Sequence, residues 1–375
     1  MILRVPDFYD EFSCIADRCK GSCCAGWEID IDEPTREYYM GVPGEIGDRM
    51  REKLYHSEDG DYRFCLSEDG RCPFLNSDNL CDIIIALGPE ALSEVCTDFP
   101  RFALSYGHVM QRVLSISCEE VGRILFSRKE PLAFVEHSMD GCMADWEDDE
   151  ADEAYIAFLE QIQKRAIALL QDRREALAER VAKFLGLCES AQEVINAYSE
   201  SQDPSVLEEF ANRMEQISPV EMLRVRELRS GGDVDELYEA FDVRMYIFEE
   251  LEELGLEWVE TKKRMREVLT AESYADKRAA YMASDSYDEI AYEHLLVYFT
   301  FRYLMQAVYS WDLLAYAKMI VTFTLMIRDL DIARWSDNGG QLGLDDRIDT
   351  AHIFSREVEH SEENFEQIRE ELMFE

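Results

Sequence analysis

Ten of the eleven cysteines lie at or before Cys142, and only Cys188 lies beyond it. The densest run is CIADRCKGSCC, Cys14 to Cys24, with four thiols in eleven residues. Cys65, Cys72, Cys81, Cys96 and Cys118 follow, at positions that read as loops and element ends. One buried cysteine is adequately explained as a small apolar side chain. A set this dense is not, so the chain divides into a front part built around thiols and a rear part with almost none.

The N-terminus, MILRVPDFYDEFSC, has no basic region followed by a long apolar run, and no signal peptide is expected. Apolar segments near Leu295 and Ile320 are interrupted by Arg302, Asp312 and Lys318, which predicts buried helices and no membrane partner. A cytoplasmic, reducing location is the resulting expectation. There, clustered thiols are metal ligands or redox groups in preference to disulfides. The formal charge is -42, from 80 acids and 38 bases, with no compact basic patch, which disfavours a nucleic-acid role. Such a field attracts Lys-rich partners, or serves only to keep the protein soluble.

With 375 residues, 47% hydrophobic and 11% aromatic, the chain is expected to fold as two units. The fold class expected is mainly α: a small α+β cysteine-rich N-terminal unit at 1–144, then an all-α helical body at 145–375. The boundary is placed at DWEDDEADE, Asp145 to Glu153, a linker or the acidic first turn of the next helix. In the front part WEIDID alternates as a half-buried strand does and stops before Pro34, and DYRFCL reads as another strand. RFALSYGHVMQRVLSISC reads as two strands around a turn near Gly107, while GPEALSEVC and CEEVGRILF read as helix starts. From Tyr155 the period becomes helical, with Tyr155, Leu159, Ile162, Ala166 and Leu169 on one face. Val234 to Leu254, Glu257 to Leu269 and Tyr287 to Leu330 behave similarly, and EVEHSEENFEQIREELMFE reads as a final acidic amphipathic helix.

Thiolate-rich sites select zinc or iron–sulfur clusters, because sulfur donates strongly to borderline and soft metals. Four thiolates suffice for either, so the surplus allows a cluster plus a zinc, two sites, or one site with spare thiols. Two paired C-x-x-C units are missing, and so is C-x-x-x-C-x-x-C. Adjacent Cys23 and Cys24 can serve one small site together only through an unusual turn, which Gly21 and Gly26 permit. His56, His108, His137, His294, His352 and His360 are scattered; His108 alone falls among the cysteine blocks, as a ligand or as an ordinary turn residue. Glu119 and Glu120 read as helix N-terminal charges.

CIADRCKGSCCAGWEIDID, GRCPFLNSDNLCDI, LSEVCTDFPRF and LSISCEEVGRILF resemble successive blocks of the flagellin lysine-N-methylase family, and YEHLLVYFTFRYLMQAVYSWDLLAYAKM resembles its aromatic helical block. The first and third blocks also resemble small cysteine-cluster domains of the zinc- or iron-chelating kind. The resemblance implies an S-adenosylmethionine-dependent protein-lysine methyltransferase acting on flagellin, with a [4Fe–4S] cluster held by ligands drawn from Cys14, Cys19, Cys23, Cys24, Cys72, Cys81, Cys96 and Cys118. Cys65, Cys142 and Cys188 stand outside that set. The alternative is a non-enzymatic zinc- or iron–sulfur-binding module, structural or redox-sensing, whose helical half binds a protein partner. No Gly-rich loop joins a strand to a helix, so a Rossmann-type donor site is not expected.

Lysine methylation requires a neutral amine, and an unperturbed pKa near 10.4 leaves only about one part in a thousand neutral at pH 7. Aromatic walls, a nearby cation or a base correct this, whereas carboxylates belong at the rim, where they attract lysine without raising its pKa. Tyr292, Tyr298, Phe299, Phe301, Arg302 and Tyr303 offer a cation–π channel or, alternatively, plain core packing. Arg302 in an apolar stretch needs a carboxylate, from the protein or from the methionine end of the donor, and Arg101 beside the cysteine region has the same two readings. Both are candidate donor-binding residues.

Overall fold

The computed structural model describes residues 1–57, 60–139, 152–216 and 218–373. The expected boundary at Asp145 and the thiol of Cys142 lie outside them. Contacts divide the chain into a larger unit, Met1–Asp10, Ala103–Val113 and Arg123–Glu375, and a smaller one, Glu11–Phe102 and Leu114–Gly122. The described strands are β1 (Ile2–Pro6), β2 (Asp30–Ile31), β3 (Leu54–His56), β4 (Tyr62–Phe64), β5 (Arg101–Tyr106), β6 (Val109–Leu114) and β7 (Phe134–Ser138).

In the larger unit the 25-residue helix Leu313–Asp337 is central. Its residues from Ala315 to Ala333 are all buried, the mark of a helix enclosed on every side. Against it pack the helices Leu177–Ser201, Glu289–Tyr303, Leu344–Val358 and Glu362–Met373. Every element from Asp152 onward is helical among the described residues. Tyr155, Leu159, Ile162 and Ala166 are buried in the helix Glu153–Leu170, as the spacing requires, with Leu170 buried in place of Leu169. Asp152 caps this helix, its carboxylate accepting from Tyr155 N at 3.0 Å, so the end of the acidic run is a helix start.

The front strands do not all stay with the cysteines. A sheet of order β5-β6-β1-β7 has β1 parallel to β6 and antiparallel to β7. Its residues lie mostly in the larger unit, where Phe134 stacks on Phe301 at 4.0 Å and Gln111 Nε2 donates to the Phe301 carbonyl. The helical unit therefore carries a sheet; alternation marks a strand but does not say which layer will cover it. The last segment also differs from expectation. One helix ends at Val358 and another begins at Glu362, with Glu359 to Ser361 forming the turn. No described helix is long and apolar enough to cross a membrane.

The smaller unit has a sheet of order β2-β4-β3. Its apolar centre is Ile29, Ile31, Tyr39, Met50, Phe64, Phe74 and Ile83, against which Cys24, Cys81 and Cys96 pack beside buried Cys72. The expected alternation holds, with Ile29 and Ile31 inside and Asp30 outside, although only Asp30–Ile31 is laddered. Asp32 then caps the helix Glu33–Gly41 by accepting from Thr35 N at 2.9 Å.

Candidate thiol centre and body cavity

Two backbone closures gather the first group of thiols. Cys72 N donates to Cys24 O at 2.7 Å and Gly26 N to Gly70 O at 2.8 Å, laying the Cys23-Cys24 run beside Cys72. Gly26, at φ 78°, turns the chain after the pair in a conformation that favours glycine. A tight loop then returns Cys81 to the same place: Leu75 N donates to Cys72 O, Asn76 N to Leu80 O, and the Asn76 side chain accepts from Asp78 N and Leu80 N. Cys96 sits on the short helix Glu94–Asp98, whose first N–H donates to the Asp32 carboxylate at 2.8 Å. Burial first, and then the neighbouring Cys24 and Cys81, push the Cys72 thiol up to about 12 and the Cys96 thiol up to about 11. Within the adjacent pair, each thiol acts on the other, drawing Cys24 down and Cys23 up.

A second group forms around Glu119. Its buried carboxylate accepts from Lys20 N at 3.0 Å and Gly21 N at 2.6 Å, holding the Cys14–Cys24 loop against the start of the helix Glu119–Ser127. Cys118 immediately precedes that helix. Cys19 is pushed up to about 12 by burial, then by the charges of Glu119, Cys118 and Cys14; Cys118 is pushed up to about 11 by burial, with Cys14 again a neighbour. From the sequence alone Glu119 reads only as a helix N-terminal charge. Partners 98 and 99 positions away leave no local signal.

Among the described residues no three His, Cys, Asp or Glu side chains form a group that could hold a metal ion as they stand. The thiols share two neighbourhoods without forming a finished ligand cage. Their donor chemistry nevertheless fits a soft metal, since buried thiols that raise one another's pKa are relieved by a cation that displaces their protons. Cys65 is exposed and Cys188 is buried within the helix Leu177–Ser201, both apart from these groups. Arg101, half-buried, lies over the Phe12 ring at 5.3 Å in the thiol-bearing unit. His108 is exposed in the β5–β6 turn and belongs to the larger unit.

In the larger unit the protein itself supplies a carboxylate for Arg302. Its Nε lies 3.2 Å from Glu359 Oε2, its Nη1 donates to Tyr298 Oη at 2.8 Å, and its guanidinium lies over the Tyr303 ring. Glu359 also accepts from Tyr303 Oη at 2.5 Å. Tyr292, Tyr298, Phe299, Phe301 and Tyr303 are all buried in the helix Glu289–Tyr303, and Phe299 meets Phe323 and Phe354, so these rings pack as core. Nearby His360 is held down to about 3 by burial and then by Arg302, Arg356 and His352.

A cavity of about 760 Å³ opens elsewhere in the same unit. Its apolar lining includes Leu223, Val243, Ile247 and Leu314; its charged lining includes Glu189, Glu239, Arg224 and Lys318. Beneath it Arg244 is bidentate to Glu227 and also bonded to Asp329, a satisfied buried network. The volume is in the range that takes a small organic ligand. Nothing in the sequence marked this cavity, because its walls come from four separated segments.

Residues 163–375 match the family model of the FliB lysine N-methylase C-terminal domain. A lysine-N-methylase of Salmonella typhimurium is 30% identical over 140 residues, which is 36% of this chain and 35% of that protein, and one of Salmonella choleraesuis matches equally. The chain thus spans about a third of the length of these curated relatives. The flagellar biosynthetic protein FliU of Salmonella muenchen is 31% identical over 137 residues, 35% of this chain and 80% of FliU. No solved structure matches. With the family model covering more than half of it, the chain belongs to the FliB lysine N-methylase family.

Proposed function

We propose that the protein is a lysine N-methyltransferase that moves a methyl group from S-adenosylmethionine to lysine side chains of flagellin and holds an iron–sulfur cluster through its thiols. The observation that carries this reading is the family match over residues 163–375, supported by the relatives named lysine-N-methylase. Ligands would be drawn from Cys14, Cys19, Cys23, Cys24, Cys72, Cys81, Cys96 and Cys118. When bound, the cluster supplies a Lewis-acidic, redox-active iron. The body cavity, lined by both signs of charge, suits a donor with an amino-acid end and a cationic sulfonium. Arg224 and Lys318 would attract the donor carboxylate, while Glu189 and Glu239 favour cationic groups.

The chain's acids would concentrate lysine-bearing substrate, and apolar walls such as Leu223, Val243 and Ile247 would favour the neutral amine by desolvation. Co-expression with flagellin and intact-mass measurement tests this. Added methyl increments are expected; an unchanged flagellin mass, with calorimetry showing no S-adenosylmethionine binding to anaerobically purified protein, overturns it.

A further inference from the structure

We infer that Glu236 is the carboxylate that receives the substrate lysine, on the divide between the cavity proposed for the donor and a second cavity that takes the polypeptide on either side of that lysine. This rests on the proposed function and adds to it a place and a residue for the protein substrate.

The second cavity, of about 500 Å³, lies in the same unit and shares Leu223, Arg226 and Glu236 with the larger one. Residues common to both walls stand between the two spaces, so a group crossing from one to the other passes Glu236. Three carboxylates line the second cavity, Glu221, Asp233 and Glu236, and two of them are committed. Glu221 accepts from Arg229 through both oxygens, at 2.7 and 2.9 Å, and lies 3.3 Å from Arg226 Nε. Asp233 caps the helix Val234–Glu249, accepting from Asp235 N at 3.0 Å and Glu236 N at 3.1 Å. The Glu236 carboxylate has one ion-pair partner among the described residues, Arg226 Nη1 at 3.2 Å, and half of its side chain is exposed. Water screens such a pair, so little holds it together. Arg226 keeps Glu221 when Glu236 turns away, and exchange of Arg226 for an incoming ammonium therefore strands no charge. Its place at a hydrated rim also lets Glu236 attract lysine without holding the proton on the amine as a buried carboxylate would.

The wall beyond Glu236 suits a polypeptide. Gly231 and Gly232 line it without side chains, and a Cβ at Gly231 would meet nothing within 4 Å. The loop is held from behind by buried Arg278, which donates to the carbonyls of Glu227, Arg229 and Gly231 at 2.9, 2.6 and 3.2 Å. Exposed Leu223, common to both cavities, offers an apolar surface for the methylene stem of the lysine.

The test measures binding of flagellin and of S-adenosylmethionine to the anaerobically purified full chain by calorimetry, alongside methyl transfer read by intact mass, with folding of each variant checked by circular dichroism. Glu236→Gln should weaken flagellin binding roughly fivefold and leave the donor affinity unchanged. Arg226→Gln removes the internal competitor for Glu236 and should tighten flagellin binding about two- to fivefold. A purely structural ion pair would not give opposite signs, since loss of either partner would then act in one direction. Flagellin with acetylated lysines should bind the native chain and Glu236→Gln with equal affinity. A shift of the same sign in both variants, no shift in either, or a parallel change in donor affinity overturns the assignment of Glu236 and leaves the proposed function standing as long as the native chain methylates flagellin. Absence of flagellin binding by the native chain overturns both. Binding that follows the expected signs without methyl transfer supports Glu236 as the lysine contact and strikes only the enzymatic proposal.

Discussion

Replacing Glu359 with glutamine tests whether Arg302 is anchored by the protein or awaits a ligand. The substitution keeps the shape of the side chain and removes its charge. Glu359 is fully enclosed, with a side-chain exposure of 0%, and that of Arg302 is 6%. Its Oε2 faces Arg302 Nε at 3.2 Å and accepts from Tyr303 Oη at 2.5 Å, with Tyr298 Oη at 3.4 Å. Removing one member of a buried pair leaves the other charge uncompensated, at a cost of about 3–5 kcal/mol. Replacing both by apolar groups avoids that penalty, so Arg302→Met combined with Glu359→Leu should recover most of the loss.

Urea unfolding of the full chain, read by far-UV circular dichroism, supplies the measurement, taking the transition that belongs to the helical unit. For a slope of about 3 kcal/mol per molar urea, the single variant should lower the midpoint by roughly 1–1.7 M. A shift below about 0.3 M, with the double variant no better than the single, would refute the argument by showing that the Arg302 charge is met elsewhere. Saturating S-adenosylmethionine provides a second arm. Selective restoration of the Glu359→Gln midpoint by the donor would mean that its carboxylate takes the vacated place, and no such restoration is expected.

His360 should make the same unit sensitive to acid. Burial first, then Arg302, Arg356 and His352, hold its imidazole down to about 3 against a usual 6.5, so the unfolded chain takes up a proton in this window and the fold does not. Stability is therefore full above about pH 6.5 and falls toward pH 3, by on the order of 3 kcal/mol after allowing for partial exposure. His360→Asn should flatten the Tm profile between pH 7 and 4, and an unchanged slope would contradict the assignment. In the smaller unit, Glu119→Ala removes the acceptor of two backbone N–H groups, each charged bond contributing about 1.5–3 kcal/mol. Trypsin cleavage after Arg18 or Lys20 should accelerate roughly tenfold or more, read by mass spectrometry, whereas an unchanged rate would show that other contacts hold the loop.

Elements with a strong period were legible in the sequence. The helix Glu153–Leu170 and the β5–β6 strands lie where side-chain spacing put them, because burial of one face is a local pattern. What escaped was pairing over distance. Arg302 could be recognised as needing a carboxylate, but nothing near it named Glu359, 57 residues later in a turn that read as continuous helix. The same limit hid the attachment of β1 and β7 to the helical unit through the Phe134–Phe301 stack. At the thiols, composition marked a cysteine-rich front part, while the approach of Cys24 to Cys72 and of the Cys19 loop to Glu119 depends on closures that leave no local signal.

The buried charges of the central helix have a consequence for how the body finds one arrangement. A helix enclosed by apolar residues on every side has no rotation that its surface pattern prefers. Asp329 and Asp331 supply one. At about 100° per residue, positions two apart point to nearly opposite sides of the helix. Asp329 meets Arg244 and accepts from Tyr274 Oη at 3.1 Å; Asp331 meets Arg347 at 2.9 Å and accepts from Tyr292 Oη and Thr350 Oγ1 at 2.7 and 2.6 Å. Turning the helix by one residue would strip both carboxylates of partners where no water can replace them, a penalty of several kcal/mol per ion. The two networks therefore fix from opposite sides what hydrophobic packing alone leaves free, and Arg244, at the base of the cavity, transmits that fixed register to the cavity wall.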